Sequence, residues 1–246
     1  MRTNVMPERK ITSRHAADDI RRALREGGTS PDSSGVQHFF KERVRSHGWR
    51  TADLRNVAVQ VRRDLLKNHG MDFVVRVADE LFSGEFLEEK AFAVFLLEGK
   101  TGELGAREFR LFASWLDRVR NWADHDGLVH YLLSPIVAAE PHYCGEVFRW
   151  VKSRNRWRRR AACVALIRGA RKKRLFAEIV RTSDMLLDDE DDMVQKGLGW
   201  LLREAAKYDA KRTVPYLMKI RERAPRLVLR TACEKLSAAE RKRVLG

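Results

Sequence analysis

Cysteine is scarce in this sequence, with three residues in a chain of 246, odd in number and widely spaced. A disulfide framework needs paired cysteines and a structural zinc site needs closely spaced ones, so neither is indicated. Cys144, Cys163 and Cys233 each stand in an apolar helical pattern. We expect them to be buried thiols in a reducing compartment.

Long apolar runs are also missing. Runs such as residues 91–97 are far shorter than the about 20 residues that span a bilayer. Residues 1–10 carry charges and lack the apolar centre of a signal peptide. No long amphipathic segment is left over for a membrane surface. We therefore expect a cytoplasmic protein without a membrane partner.

Acidic residues are the third shortage, since the chain contains 34 of them and 49 Lys and Arg. This difference gives a formal net charge of +15. Residues 152–181 alone contain twelve Lys or Arg and one acid, which gives this stretch +11. A field of this size attracts polyanions without specifying a fold. Nucleic acid is the leading candidate partner, and a basic protein without such a partner is the alternative.

No segment alternates between polar and apolar residues as a half-buried strand does. Apolar residues instead recur at three and four positions, which predicts an all-α fold. We expect a loosely attached first helix near residues 16–25, so that residues 1–35 form an N-terminal helix and flexible segment and residues 36–246 the main domain. Further helices are expected at about 36–46, 52–68, 71–82, 85–99, 106–118, 122–134, 142–152, 155–169, 172–182, 189–207, 209–223 and 226–236.

Six similar segments recur at intervals of 35, 36, 34, 36 and 34 residues. The first residues of these segments, here called the anchors, are Arg55, Lys90, Asp126, Arg160, Lys196 and Arg230. This period is typical of stacked helix pairs, and it predicts a HEAT-like solenoid of about six pairs. Five basic anchors on one face would line a concave groove that follows a phosphate backbone. The alternative is that they only solvate the starts of helices.

Asp126 is the exception among the anchors, because a carboxylate there repels the anion that the groove attracts. Trp122 lies four residues earlier, and Trp200 lies four residues after Lys196, with Arg203 three further on. A carboxylate can stabilise a developing oxocarbenium ion or activate water, and indoles can stack on an electron-poor base. Core packing of the tryptophans and a capping or salt-bridge role for Asp126 stay open as alternatives.

Several other polar features predict no chemistry of their own. His125, His130 and His142 with Cys144 lack metal-ligand spacing, so we expect structural or surface roles for them and no metal. The acidic run 188–192 is interpreted as a solvated helix cap. The basic cluster 171–174 is either a phosphate contact or a solvated turn.

Four segments resemble the AlkD-type DNA glycosylases, a family of HEAT-like repeat proteins. Residues 195–207 are similar to the lysine, Gly-Trp pair and Arg-Glu of the family's fifth repeat. Residues 155–162 resemble its DNA-contacting arginine before two alanines, and residues 121–126 its tryptophan four residues before the catalytic aspartate. Residues 48–55 resemble its glycine-to-threonine turn before an early basic helix. The resemblance covers about residues 36–236.

This resemblance implies hydrolysis of the N-glycosidic bond of cationic N3- or N7-alkylpurines in duplex DNA, without strand cleavage, metal or cofactor. It implies that Asp126, Trp122 and Trp200 are the catalytic residues. The expected DNA contacts are Arg160, Arg203, Lys196, Arg55, Thr51, Lys90, Arg159 and Arg230. Ala123 and His125 replace a frequent acid and a small apolar residue, which bears on substrate range more than on the reaction.

We expect a monomer associated with the nucleoid. Two other kinds of protein fit the same sequence: a non-catalytic HEAT-like module that binds DNA or RNA, and a scaffold for protein interactions. A catalytic assay separates the first from a glycosylase. A scaffold does not need a charge of +11 within thirty residues.

The charge predicts binding to duplex DNA with little sequence preference and a steep dependence on salt, because phosphate contacts displace condensed counterions. Six such contacts would give a log–log slope of affinity against salt of about −5. Affinity measured from low to moderate salt tests this expectation. A flat response would exclude a groove that binds phosphates.

Overall fold

Helices form the regular secondary structure of this computed structural model, which describes residues 11–29 and 34–246. Over these two ranges the backbone contains an isolated bridge between Arg45 and Phe86 but no β-strand. The all-α prediction is confirmed. The chain divides into two compact units, residues 1–97 and 98–246.

The first unit is built around two apolar helices. Its described helices are α1 (Ser13–Glu26), α2 (Ser34–Gln37), α3 (Thr51–His69), α4 (Met71–Phe82) and α5 (Leu87–Leu97). α4 packs against α1, α3 and α5, and most of its residues are buried. Gly70, with φ of 78°, lets the chain reverse between α3 and α4. No helix in the described ranges is both long and apolar enough to cross a membrane.

α1 is firmly packed, which corrects the expectation of a loose attachment. Its apolar face, which includes Ile20 and Leu24, is buried within the first unit. The Trp49 indole donates to the Leu24 carbonyl at 2.7 Å, and Arg21 donates to the Glu80 carbonyl at 2.6 Å. The division of the chain after residue 35 stays a prediction, and residues 30–33 of the turn-forming segment lie outside the described residues.

The prediction of a helix at residues 36–46 is wrong, because α2 ends at Gln37 and an irregular segment continues to residue 50. Two side chains take over the hydrogen bonds that a helix would have formed. The Gln37 amide donates to the Glu42 carbonyl and accepts from the Val44 amide. The Glu88 carboxylate accepts from Ser46 Oγ and from the amides of residues 47–49. The first predicted helix pair therefore lacks one member.

The second unit is organised around one long helix, α13. Its helices are α6 (Ala106–Trp115), α7 (Trp122–Leu128), α8 (Ser134–Ala139), α9 (Cys144–Trp150), α10 (Arg156–Val164), α11 (Ile167–Arg171), α12 (Phe176–Leu186), α13 (Asp192–Tyr208), α14 (Ala210–Ile220), α15 (Arg226–Ala232) and α16 (Ala238–Leu245). A π-helical turn, Val129–Leu133, joins α7 to α8. α13 packs against α10 on one side and α15 on the other.

Some predicted boundaries in this unit need correction. The helix expected at 172–182 begins only at Phe176, because Lys173 and Leu175 adopt left-handed φ angles of 56° and 61° that no helix continues through. The helix expected at 155–169 breaks at residues 165 and 166. α16 was not predicted, although the capping box of Ser237 and Glu240 indicates the start of a helix.

Polar caps place the anchors of neighbouring helices at equivalent positions. Asn121, Asn155 and Asp191 stand just before α7, α10 and α13, and each side chain accepts hydrogen bonds from first-turn amides. The anchor follows each cap by five residues. The repeat in the sequence is therefore a repeat of helix starts.

The three cysteines are buried free thiols, as predicted. Burial raises the pKa of Cys144 to about 11 and that of Cys163 to about 12. Both are thiols rather than thiolates at neutral pH, which leaves them poor nucleophiles.

Two glycines of α13 allow its close contact with neighbouring helices. A Cβ atom added to Gly197 would lie 3.0 Å from Arg160 Cγ on α10, and one added to Gly199 would lie 2.8 Å from Thr231 Cβ on α15. A Cβ atom added to Gly145, on α9, would have no other atom within 4 Å. The small residue after the Lys196 anchor therefore serves packing, as the sequence indicated.

We predict that Gly199→Ala lowers the free energy of unfolding by about 1–3 kcal/mol, because the methyl group overpacks the contact with Thr231. Gly145→Ala is the matched control and should raise it by up to about 1 kcal/mol through helix propensity. Urea unfolding of both variants measures the difference. Equal effects would mean that α15 shifts freely to admit the methyl group.

Candidate active site

Asp126 and Arg160 form a bidentate ion pair between α7 and α10. Arg160 Nε donates to Asp126 Oδ1 at 3.0 Å, and Arg160 Nη2 donates to Oδ2 at 2.8 Å. Nη1 donates to the Met193 carbonyl at 2.6 Å, at the start of α13. Side-chain exposure is 7 % for Arg160 and 22 % for Asp126, so the pair opens to solvent on the side of the carboxylate.

His125 makes a third contact with the carboxylate. Its Nδ1 lies 2.7 Å from Asp126 Oδ1, and its Nε2 lies 3.1 Å from the Trp157 carbonyl oxygen. The imidazole is fully buried. Asp126 is thus held by its neighbour on α7 and by Arg160 on α10.

These partners keep Asp126 ionised. Burial alone raises the pKa of this carboxyl, but the hydrogen bond with His125 and the charge of Arg160 outweigh burial and lower it to about 2. The group is therefore an anion throughout the physiological range. An anion that is one-fifth exposed can face a ligand without leaving its partners.

The two candidate indoles are half-buried, whereas Trp157 is only 7 % exposed and serves the core. This agrees with the prediction that Trp122 and Trp200 are partly accessible. Trp122 begins α7 one turn before Asp126. The Trp200 indole lies 5.4 Å, between ring centroids, from the imidazole of His130, which the π-helical turn places just after α7.

Three predicted DNA contacts in the second unit already carry carboxylate partners. Arg159 Nε donates to Asp189 at 2.6 Å, Arg203 to Glu234 at 2.8 Å and Lys196 to Asp192 at 3.1 Å. Arg160, expected to contact phosphate, is the buried clamp of Asp126 instead. Arg230 is exposed on α15.

The predicted contacts of the first unit differ in exposure. Thr51 is exposed at the start of α3, and the Arg55 guanidinium lies 4.3 Å from the centroid of the Phe95 ring. Lys90 is 4 % exposed, and its ammonium lies 5.6 Å from the centroid of the Phe82 ring. An ammonium buried in this way does not reach a phosphate, which corrects the role expected of Lys90.

Members of the acidic run and of the basic cluster make structural contacts, and the role of the cluster as a whole stays as predicted. Asp191 caps α13, and Asp188 pairs with Arg223 on the chain segment after α14. Arg171 donates to Glu204 at 2.6 Å. Within the described ranges, no three His, Cys, Asp or Glu side chains are placed to share a metal ion.

A family model described as DNA alkylation repair enzyme matches residues 20–236. The chain belongs to the DNA alkylation repair enzyme family. No curated protein sequence matches it significantly.

Two solved structures share the fold of this family member. A predicted DNA alkylation repair enzyme from Enterococcus faecalis is 15 % identical, with a TM-score of 0.70, over 79 % of this chain and 90 % of that one. AlkD2 from Streptococcus mutans is 16 % identical, with a TM-score of 0.62, over 90 % and 100 %. The helical-repeat architecture predicted from the sequence is confirmed.

His125 is a contact of Asp126 that the sequence pattern did not single out. Its spacing from other histidines excluded a metal role, and a structural role was expected. The available signal was its position beside Asp126, at a place where the resemblance leads one to expect a small apolar residue. Its second partner, the Trp157 carbonyl, lies 32 residues away and could not be inferred.

The low pKa of Asp126 predicts a contribution to stability that is lost in acid. Because the folded pKa lies below the ordinary value of 3.8, the contribution is present above about pH 4 and disappears as pH falls through about 2. The shift corresponds to about 2 kcal/mol. Urea unfolding at several pH values should show that Asp126→Asn loses less stability over this window than the parent.

Asp117→Asn provides the control, since Asp117 pairs with Arg158 but is 59 % exposed. A solvated pair of this kind contributes little. Its acid loss should therefore stay close to that of the parent. Parallel acid losses for the parent and Asp126→Asn would show that folding does not lower the pKa of Asp126.

Proposed function

We propose that this chain is a monofunctional DNA glycosylase that hydrolyses the N-glycosidic bond of cationic N3- or N7-alkylated purines in duplex DNA. Membership of the DNA alkylation repair family supports a DNA substrate. The observation that carries the proposal is the Asp126 carboxylate, which its partners hold anionic while leaving it partly exposed.

The bonding of Asp126 leaves room for a substrate. Among described residues, Oδ1 accepts bonds from His125 and Arg160, whereas Oδ2 accepts one bond, from Arg160. A carboxylate oxygen can accept two, so Oδ2 keeps the capacity to face a sugar or a water molecule. The rigid partners hold that oxygen in place before the substrate arrives, which is the condition for electrostatic catalysis.

The low pKa favours one of two roles for this carboxylate. A group with a pKa of about 2 is a weak base, so charge stabilisation contributes more than proton abstraction. As the bond between C1′ and the purine nitrogen breaks, its electrons neutralise the cationic base, and the positive charge moves to the sugar. Asp126 stabilises that charge. Water then bonds to C1′ and releases its proton to solvent, leaving an abasic site.

Trp122 and Trp200 are proposed to contact the damaged nucleotide. The face of an indole attracts a cation, so a positively charged alkylpurine interacts with it more strongly than a normal base does. Aromatic contacts with bases contribute about 1–3 kcal/mol each. The half-buried position of both side chains supports this role.

Binding to the phosphate backbone is proposed to depend on the net field and on the accessible cations. The proposed contacts are Lys196, Arg203, Arg159, Arg230, Arg55 and Thr51. Arg160 contributes its charge from the interior while it holds Asp126. Because several of these cations already have carboxylate partners, each phosphate contact replaces or shares an existing pair.

One observation favours a non-catalytic DNA-binding module as the second candidate. The pair of Asp126 and Arg160 has the same form as that of Asp189 and Arg159, where an arginine joins a carboxylate some thirty residues away. A carboxylate in such a pair can serve packing alone. For a glycosylase, loss of the charge at Asp126 should stop base excision. For a binding module there is no excision to lose.

We predict that Asp126→Asn abolishes excision while affinity for undamaged duplex DNA stays equal or rises. The amide keeps the shape but cannot offset charge on the sugar, and one fewer anion repels the phosphates less. Single-turnover release of 7-methylguanine from methylated duplex and binding to unmodified duplex should be measured on one preparation.

Asp189→Asn is the matched control, because it removes one negative charge that pairs with Arg159, the residue next to Arg160 on α10. Its affinity should change in the same direction while excision continues at the parent rate. If Asp126→Asn excises as fast as the parent, Asp126 is not the catalytic carboxylate. If the parent releases no alkylated base, the binding module is the correct interpretation.

A further inference from the structure

We propose that His125 is a positioning residue for Asp126, acting as a neutral imidazole that donates its one proton from Nδ1 to the carboxylate. The inference rests on the proposed function of Asp126. It assigns to this chain a feature that the family resemblance does not imply, since the resemblance places a small apolar residue at this position.

The geometry gives His125 a hydrogen bond to Asp126 that no apolar side chain could make. Nδ1 lies 2.7 Å from Asp126 Oδ1 on α7, and Nε2 lies 3.1 Å from the Trp157 carbonyl oxygen on α10. The ring is fully buried and packs 5.6 Å from the Trp157 indole, between centroids. One hydrogen bond from Nδ1 therefore holds the carboxylate, while burial and packing against the Trp157 indole hold the ring itself.

Two opposing effects set the protonation state of His125. Both partners of the ring are oxygen acceptors, which favours the imidazolium because only that form donates from both nitrogens. Burial opposes it, the positive charge of Arg160 opposes it further, and together they lower the pKa of His125. The charged groups that face the ring are Asp126 from α7 and Arg160 from α10. At neutral pH the ring thus has one proton, and the carboxylate is its stronger acceptor.

A neutral partner suits the proposed reaction better than a cation does. Asp126 already faces one positive charge, and a second would offset the anion that stabilises the sugar. A neutral N–H orients Oδ1 without that cost, and it does not occupy Oδ2. Small displacements of such a group matter, because a misplacement of about 1 Å can cost about 100-fold in rate.

The rate of excision should decrease in acid. As pH falls through the lowered pKa of His125, the ring becomes cationic and excision should slow. Asp126 is not the cause of this acid limb, because it stays ionised down to about pH 2. His130, near Trp200, also titrates below its ordinary pKa, so variants are needed to assign the limb.

The test compares His125→Leu and His125→Asn with the parent in single-turnover release of 7-methylguanine across the pH range in which histidine titrates. Leucine removes the donor and should lower the rate by up to about 100-fold, with affinity for undamaged duplex unchanged. Asparagine restores a donor near the Nδ1 position without a titratable ring. It should recover most of the rate and lose the acid limb.

Tyr216→Phe is the control for a lost internal hydrogen bond, since it removes the bond between Tyr216 and Asp184 in a different part of the second unit. It should lose stability and keep both the rate and the pH profile. If His125→Leu does not fold, the asparagine variant still decides through its pH profile. An acid limb that survives in His125→Asn overturns the inference, as does a parent rate in His125→Leu.

Nitrogen-15 NMR of the histidine rings gives a readout that does not need activity. We expect His125 at neutral pH to be protonated on Nδ1 only, and the signal of that proton to be lost in Asp126→Asn or strongly shifted. A proton on Nε2 alone would overturn the inference. If the parent releases no base, the proposed function fails, and the NMR result then decides separately whether His125 holds Asp126.

Discussion

The ion pair between Arg160 and Asp126 is the interaction on which the second unit's site depends. It joins α7 to α10, and the remaining Arg160 donor reaches the start of α13, so one guanidinium connects three successive repeats. Gly197 on α13 lies beside it, and a Cβ atom there would crowd the Arg160 side chain. Losing one partner of a buried pair costs about 3–5 kcal/mol. Packing and proposed chemistry therefore depend on the same atoms.

The ion pair also explains how one anchor, Asp126, can be acidic when the other five are basic. Asp126 pairs with the Arg160 guanidinium, so its charge is locally compensated and would oppose the proposed DNA binding less than an isolated carboxylate. Comparable pairs recur in neighbouring repeats, as with Arg159 and Asp189 or Arg171 and Glu204. The net charge of +15 consequently acts through the summed field rather than through a row of unpaired cations.

Low sequence identity with the two solved structures is understandable in these terms. A repeat needs a polar cap, a helix of a set length and a small residue at the crossing, and many sequences satisfy these conditions. Asn121, Asn155 and Asp191 meet the first condition with two residue types. Such a fold survives at 15–16 % identity because its interfaces are local and repeated.

The sequence by itself determined the all-α fold, the helix period, the buried thiols and the candidate residues Asp126, Trp122 and Trp200, because periodicity and short motifs are local properties of the chain. It did not determine which cations are free to bind. Arg160 and Lys90 belong to the basic row in the sequence, yet both are buried, since only tertiary packing sets which side chains face solvent. The same holds for His125, whose partner on α10 lies 32 residues away. Contacts across repeats depend on how helices stack, and stacking is decided by the whole unit.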